Sequence, residues 1–234
     1  MSGTPAASDA RSGTLPEPQV RAMFDRIAGV YDLMNSVMTA GLHHRWRERA
    51  VDLARVGPSS RALDVATGTG DLAIELASRG GDVVGSDFSE GMLARARTKA
   101  PGLTWEQADA MALPYADNEF DAVTVGFGAR NFGDLAQGLR EMVRVVKPGG
   151  RVVILEITTP QKPPLSTFFS LWFDRVVPLM GRFDEAYTYL PNSVKRFPGP
   201  EPLAAVLSEA GCTDVGWILT AGGIIALHYG TVAS

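Results

Sequence analysis

The stretch Arg61–Asp71, which reads R-A-L-D-V-A-T-G-T-G-D, decides the fold of this 234-residue chain. It opens with a short apolar run that ends at glycines, as a buried strand of a parallel sheet does. The apolar spacing of the residues that follow favours a helix. The stretch therefore predicts a strand, a tight turn and a helix. Gly68 and Gly70 lack a Cβ, so the turn can adopt backbone angles closed to other residues and let a ligand approach closely.

Strand-like and helix-like segments alternate along the rest of the chain, which is typical of an α/β protein. A helix is predicted over 135–146, ended by K-P-G-G, and another over 202–210. The further predicted strands are Asp82–Asp87, Leu103–Ala108, Phe120–Phe127, Arg151–Ile157, Thr213–Thr220 and Ile224–Val232. The order predicts a doubly wound, mostly parallel seven-stranded sheet with a C-terminal β-hairpin.

Length, charge and cysteine usage narrow the classes of function. A chain of 234 residues suits one α/β domain with a proper core. Its net charge of −4 and pI near 5.4 argue against nucleic acid as a partner. The single cysteine, Cys212, excludes a disulfide framework and a thiolate metal site, and fits the reducing cytoplasm. We predict no metal.

The composition divides the chain into a tail and one domain. Residues 1–18 are rich in Ser, Gly, Ala and Pro, lack the features of a signal peptide, and predict a disordered tail. Residues 19–234 predict a single domain with N-terminal helices over 20–55 and a helical insertion over 160–200. The first helices form either a lid that brings Tyr31 to the site or ordinary packing helices. The aromatic stripe of the insertion fits core packing, a lipid-like substrate or a membrane surface.

The charges around the glycine turn bear on its ligand. Residues 68–73 satisfy the G-x-G-x-x-A fingerprint of dinucleotide binding, which alone is a weak signal. Asp64 and Asp71 add two acids that would repel a diphosphate but suit a cationic ligand such as S-adenosylmethionine. The alternative is that Asp64 ties down the loop and Asp71 complements the helix dipole.

Two further acids come at the carboxyl ends of later predicted strands, on the edge where open α/β sheets bind ligands. Asp87 can accept hydrogen bonds from both ribose hydroxyls of an adenosine. Asp109, followed by Ala110, can hold an adenine. Arg130 follows the fourth strand, where it would either stabilise a deprotonated substrate oxygen or bridge to Asp134.

A basic run, R-W-R-E-R, begins at Arg45 and directly follows His43 and His44. Adjacent residues of a helix do not face each other, so the histidine pair is a poor chelate. We predict that the basic run is a solvated helix face with Trp46 turned inward.

Several motifs now carry a resemblance to a known family. D-V-A-T-G-T-G-D, the rim acids and K-P-G-G resemble the class I S-adenosylmethionine methyltransferases, whose fold is Rossmann-like. Three further segments resemble the ubiquinone/menaquinone biosynthesis C-methyltransferases. They are F-D-R-I-A-G-V-Y-D-L-M-N (24–35), G-F-G-A-R-N (126–131) and Y-T-Y-L-P-N-S-V-K-R-F-P (187–198).

The resemblance implies methyl transfer from S-adenosylmethionine to a ring carbon of a reduced prenylated quinone, demethylmenaquinol, in quinone biosynthesis. With Gly68 and Gly70, its cofactor contacts fall on Thr69, Asp87, Asp109, Ala110 and Gly126. The family often has Ser or Ala at Gly126, so only a backbone contact is expected there. Arg130 would stabilise the substrate phenolate, while Asn131 and Tyr31 would hydrogen-bond the ring oxygens.

Two alternative functions stay open. One is methylation of another aromatic or lipid-like molecule, at oxygen; the other is a nicotinamide-dependent dehydrogenase module. The preferred function implies a cytoplasmic protein with peripheral contact to the inner face of the membrane. Homodimerisation is left open.

Overall fold

In the computed structural model, the described residues are 17–27, 42–160 and 192–234, with positions 163, 166, 167 and 171 between them. Residues 1–16 and 28–41, which include Tyr31, and most of the predicted insertion over 160–200 lie outside this part. The disordered tail and the insertion therefore stay predictions.

Seven strands form one sheet in the order β3-β2-β1-β4-β5-β7-β6. All pairs from β3 to β5 in this order are parallel, whereas β7 runs antiparallel to both β5 and β6. This confirms the doubly wound sheet with its C-terminal hairpin. The strands are β1 Arg61–Val65, β2 Asp82–Asp87, β3 Thr104–Gln107, β4 Phe120–Gly126, β5 Val146–Ile157, β6 Cys212–Thr220 and β7 Ile225–Val232.

Helices cover both faces of the sheet, as the near-continuous apolar strands require. Six α-helices of the described residues are α1 Glu17–Ile27, α2 His43–Ala54, α3 Asp71–Ala77, α4 Glu90–Lys99, α5 Leu135–Arg144 and α6 Pro200–Glu209. Helices α2, α3 and α4 pack on one face, and α5 and α6 on the other. Alternate strand residues serve the two cores: Val123 points to the second face and Ala122 to the first.

Two of the element boundaries that differ from those predicted have a local physical reason. Helix α1 begins at Glu17 and so includes the last two residues of the predicted tail, 17 and 18. Pro18 is compatible with this because a first-turn residue has no intrahelical partner for its N–H. Strand β5 begins at Val146 and includes the K-P-G-G segment, where the pairing with β4 shifts register between Phe120 and Ala122. The glycines allow the irregularity, since Gly149 has a φ of 79°.

Candidate functional site

A cleft of about 950 Å³, including its open mouth, lies at the carboxyl ends of β1 and β4. The strand order reverses between these two neighbours, which is where open α/β sheets bind ligands. Two turns border the cleft: the glycine turn (66–70) after β1 and the arginine turn (127–131) after β4. Each begins with a non-glycine residue at positive φ, Ala66 at 50° and Phe127 at 58°. Such strained backbone is typical of functional sites.

The glycine turn presents bare backbone to the cleft. Gly68 has a φ of 58°, and a Cβ built on it would meet no atom within 4 Å, so a ligand can approach this backbone. Thr69 also lines the cleft, and its Oγ1 accepts a hydrogen bond from Lys99 Nζ at 3.0 Å. Gly70 does not line it. A Cβ there would lie 2.4 Å from the Trp105 ring, so this glycine serves packing behind the turn.

Asp87 ends β2 and lines the cleft, as predicted. Its two carboxylate oxygens accept backbone N–H groups, one from Gly68 and one from Ser89, each at 2.8 Å. Burial raises the pKa of Asp87 to about 6, although these two hydrogen bonds oppose the shift. A carboxylate has about four acceptor sites, so these two hydrogen bonds do not exhaust it. The residue therefore fits the two hydroxyls of a ribose.

Asp64 lies beneath the glycine turn, fully buried but in contact with the cleft. It accepts hydrogen bonds from the hydroxyls of Thr67, at 2.5 Å, and Thr124, at 2.6 Å. Burial raises its pKa to about 6, while the two hydroxyls oppose the shift. The predicted alternative, an acid that ties down the loop, describes part of its role. Its side chain also contributes an acidic group to the floor of the cleft.

The environment of Asp71 corrects the charge argument made from sequence. Its carboxylate is paired with two cations, Arg47 Nη2 at 2.8 Å and Lys99 Nζ at 2.7 Å. Burial opposes ionisation, but Arg47 and Lys99 outweigh it and lower the pKa of Asp71. Two cations against one carboxylate leave positive charge in excess beside the glycine turn. We expected Asp71 to repel a diphosphate, but these two cations compensate its charge, so that expectation was wrong.

Helix α2 also departs from the expected solvated face. Trp46 is turned inward as predicted, against Phe127 at a ring separation of 6.4 Å. Arg47, however, is 8 % exposed and lines the cleft. The helical spacing of Arg47 with Ala50 and Ala54, all buried, could have indicated this. The basic residues of the same run led instead to the prediction that this face of the helix is solvated.

Three further residues that were predicted to contact the cofactor line the same cleft. Asp109, Ala110 and Gly126 all line the cleft. Asp109 Oδ1 accepts the N–H of Met111 at 2.8 Å, which holds the segment after β3. A Cβ on Gly126 would lie 3.0 Å from Leu72 Cδ2.

Large apolar side chains that were not predicted from sequence form much of the cleft wall. Phe24 of α1 and Phe88, which follows Asp87, meet edge to face with ring centroids 6.2 Å apart. Asp25 holds α1 in place by accepting the Ser89 hydroxyl at 2.5 Å. Phe88 could have been predicted to line the cleft, because it directly follows the rim acid Asp87. Phe24 could not, because its approach depends on tertiary packing. The further apolar wall residues that were not predicted include Met92, Phe127 and Phe132, and Met111 lies beside them in the segment expected to hold an adenine.

The arginine turn separates the predicted catalytic residues. Asn131 lines the cleft, and Arg130 is not among the described residues that do. Arg130 Nη1 instead pairs with Glu156 Oε1 at 2.7 Å, both side chains being buried. The predicted alternative partner, Asp134, caps α5 by accepting the N–H of Gln137. Tyr31 lies outside the described residues.

Glu156 anchors this turn and was not predicted from sequence. It lies near the end of β5 and is 1 % exposed. Besides the Arg130 guanidinium, it accepts the backbone N–H groups of Ile157 at 2.8 Å and of Arg130 at 3.3 Å. The carboxylate therefore holds both the side chain and the backbone of Arg130, next to Asn131.

Within the described ranges, no three His, Cys, Asp or Glu side chains are grouped as metal ligands are. None of the helices in that part of the chain combines the length and the apolar character needed to cross a bilayer.

Comparison with known proteins identifies a family. The model of the ubiE/COQ5 methyltransferase family matches residues 13–232. A demethylmenaquinone methyltransferase of Thermus thermophilus is 47% identical over 218 residues, covering 89% of this chain and 99% of that protein. A ubiquinone/menaquinone biosynthesis C-methyltransferase of Geobacter sulfurreducens is 43% identical over 224 residues, covering 91% and 88%.

The fold is also found among solved structures. An S-adenosylmethionine-dependent methyltransferase of Thermotoga maritima, described as a possible histamine N-methyltransferase, superposes with a TM-score of 0.65 at 19% identity. The match covers 90% of this chain and 98% of that one. At this identity the likeness concerns the fold, and it agrees with the Rossmann-like sheet described above.

Proposed function

This chain belongs to the ubiE/COQ5 methyltransferase family, and from that premise we propose its function. It is an S-adenosylmethionine-dependent methyltransferase of quinone biosynthesis that methylates a ring carbon of a reduced prenylated quinone. The substrate we propose is demethylmenaquinol. The observation that carries the proposal is the cleft at the β1–β4 switch point, where Asp87 and the bare backbone of Gly68 face a common space.

The donor side of the cleft fits an adenosine. Asp87 has the free lone pairs for both ribose hydroxyls, and Asp109 and Ala110 lie at the end of the next strand of the sheet. Phe88 and Met111 offer apolar surface for a purine. Asp64 adds an acid that suits the cationic end of the ligand. When bound, S-adenosylmethionine supplies a methyl group already activated by its sulfonium.

The acceptor side must make a ring carbon nucleophilic. A phenolate pushes charge into the ring, and a nearby cation favours ionisation of the hydroxyl. We propose that Arg130 supplies this cation and that Asn131 and Tyr31 orient the ring oxygens. Arg130 is a poor base because its pKa is too high, so the proton goes to water or to a carboxylate. Alignment of the carbon with the sulfur–methyl bond is then a matter of positioning.

A prenylated substrate partitions into the bilayer, so we propose a cytoplasmic protein that contacts the membrane surface peripherally. Association with vesicles should then depend on the apolar stripe of the predicted insertion over 160–200. Flotation of the protein with anionic lipid vesicles tests this. Recovery of all of the protein in the vesicle-free fraction would contradict it. Light scattering tests whether the chain forms a homodimer.

The deciding experiment is incubation with methyl-labelled S-adenosylmethionine and chemically reduced demethylmenaquinone. We expect label in an acid-stable product whose mass matches menaquinol. Label released by acid as a volatile methyl compound would instead indicate O-methylation. Tight binding of NADH without any binding of S-adenosylmethionine would indicate the dehydrogenase-type module. Oxidised demethylmenaquinone is the matched control, because it has no hydroxyl to ionise and should accept no label.

A further inference from the structure

We infer that Arg47 binds the carboxylate of the methyl donor's amino-acid end. This inference rests on the proposed function, because it concerns the same cleft and its donor. Arg47 lies on α2, outside the motifs that carry the family resemblance, and sequence alone predicted it to be solvated. Its role follows from the charges that line the cleft.

Arg47 is the one cationic side chain among the described residues that line the cleft. The acidic lining residues are Asp64, Asp71, Asp87 and Asp109. S-adenosylmethionine carries two cationic groups, the sulfonium and the amino group, and one carboxylate. An anionic group placed among acids alone would be strongly disfavoured. The one carboxylate of the ligand therefore needs Arg47, the one cation among the described residues of the lining.

The position of Arg47 also fits the ligand's polarity. The groups proposed to bind adenosine are Asp87, at the end of β2, and Asp109, after β3, and both strands lie on one side of β1. Helix α2 instead packs beside β4 and β5, on the other side of β1. A ligand whose ribose lies at Asp87 thus extends its amino-acid end toward the α2 side, where Arg47 lines the cleft.

Arg47 retains donors for a ligand. Its Nη2 contacts Asp71 at 2.8 Å, and Asp71 is the ion-pair partner that the described structure gives it. A guanidinium has five N–H donors, so one carboxylate does not exhaust them. Lys99 shares Asp71, at 2.7 Å, so the charge of Arg47 is only partly cancelled. Asp71 thereby holds the guanidinium in place without removing its positive charge.

The test compares two ligands that differ in one group. Decarboxylated S-adenosylmethionine keeps the adenosine, the sulfonium and the amino group but lacks the carboxylate. Calorimetric titration should show that the wild-type chain binds the complete ligand about 10- to 100-fold more tightly, as for a hydrogen bond between charged groups. In Arg47→Gln this preference should disappear, chiefly through weaker binding of the complete ligand.

Two variants serve as controls. Arg47→Lys keeps a charge without the planar fork and should recover part of the preference. Arg45→Gln removes an exposed arginine from the same helix and should bind both ligands as wild type does. Thermal unfolding of each variant shows whether α2 stays packed.

Three outcomes would overturn the inference. Equal weakening of both ligands in Arg47→Gln would show that the residue only supports the turn through Asp71. A wild-type chain with no preference for the carboxylate would show that the group is not bound by a cation. Wild-type failure to bind either ligand would overturn the proposed function as well, so the two failures are distinguishable.

Discussion

The two turns that border the cleft treat their arginines in opposite ways. Beside the glycine turn, Arg47 lines the cleft and shares its carboxylate partner, Asp71, with a second cation. At the arginine turn, Arg130 is not among the described residues that line the cleft. It is paired with Glu156, which is 1 % exposed. The first arrangement leaves positive charge for a ligand, whereas the second fixes backbone geometry. By our proposal, Arg130 acts on the acceptor as well, through charge that the pair with Glu156 leaves uncompensated, and the first prediction tests this.

The largest expected effect tests whether Arg130, although it is paired with Glu156, also stabilises the acceptor. We expect Arg130→Leu to lower kcat by about 10²- to 10³-fold, as loss of a group that stabilises developing negative charge does. The dissociation constant for S-adenosylmethionine should change by less than about threefold, because that ligand's contacts lie elsewhere. Steady-state kinetics and calorimetry measure the two quantities.

A stability control accompanies this variant, since Arg130→Leu leaves Glu156 buried without its partner. Breaking a buried pair costs about 3–5 kcal/mol in the free energy of unfolding. Replacing Glu156 by Leu as well removes that charge, so denaturant unfolding should show recovered stability. If kcat recovers along with stability, Arg130 is structural and the proposed electrostatic role is wrong.

Asp87→Asn sharpens the donor side of the comparison. An amide retains one acceptor oxygen, whereas the carboxylate serves two backbone N–H groups and, by our proposal, two hydroxyls. We expect binding of S-adenosylmethionine to weaken by about 100-fold. Asp82→Asn, at the exposed start of the same strand, is the matched control and should leave calorimetric affinity unchanged. Equal effects of the two substitutions would contradict the assignment.

The pH dependence of binding gives a second test of the role of Asp87 on the donor side. The pKa of Asp87 is raised to about 6, and its ionised form is the one that accepts two hydroxyl donors. Affinity for 5′-methylthioadenosine, which lacks the ligand's own titrating amino acid, should therefore rise about tenfold between about pH 5 and pH 7. Asp87→Asn should show a flat profile. A slope that persists in this variant would assign the titration to Asp64, whose pKa is also raised to about 6.

The same shifts have a consequence of opposite sign for the stability of the ligand-free chain. The two acids have folded-state pKa values above those of the unfolded chain, so the folded state binds more protons between about pH 4 and pH 6. Their contribution to stability is present below about pH 4 and is lost as the pH rises through 6. The ligand-free chain thus bears the cost of burying two carboxylates that binding later uses.

The smallest effect is expected at Gly126. A methyl group there meets only Leu72, whose Cδ2, the flexible end of the side chain, would lie 3.0 Å away. Gly126→Ala should change donor affinity by less than about threefold and the free energy of unfolding by less than about 1 kcal/mol. Gly85→Ala is the contrasting variant, because its Cβ would lie 2.4 Å from the Trp105 ring. It should lose about 1–3 kcal/mol in chemical denaturation; similar losses in both would contradict this packing argument.

Sequence reasoning identified the sheet and the rim of the cleft for a physical reason. Parallel strands bring their carboxyl ends to one edge, so residues that follow strands, such as Asp87 and Asp109, can be grouped without coordinates. Gly68 could be predicted because its turn needs a φ that a Cβ disfavours. The family followed from motifs that span most of the chain.

Tertiary structure alone decided which charges are paired. Arg47 meets Asp71, and Arg130 meets Glu156, across 24 and 26 residues of chain. No local pattern encodes such pairs, because they depend on how separate elements pack and on how far each carboxylate is from water. For the same reason, the pKa values of Asp64 and Asp87 could not be anticipated. The sequence by itself therefore determined where the cleft lies, and packing determined the electrostatic character of its lining.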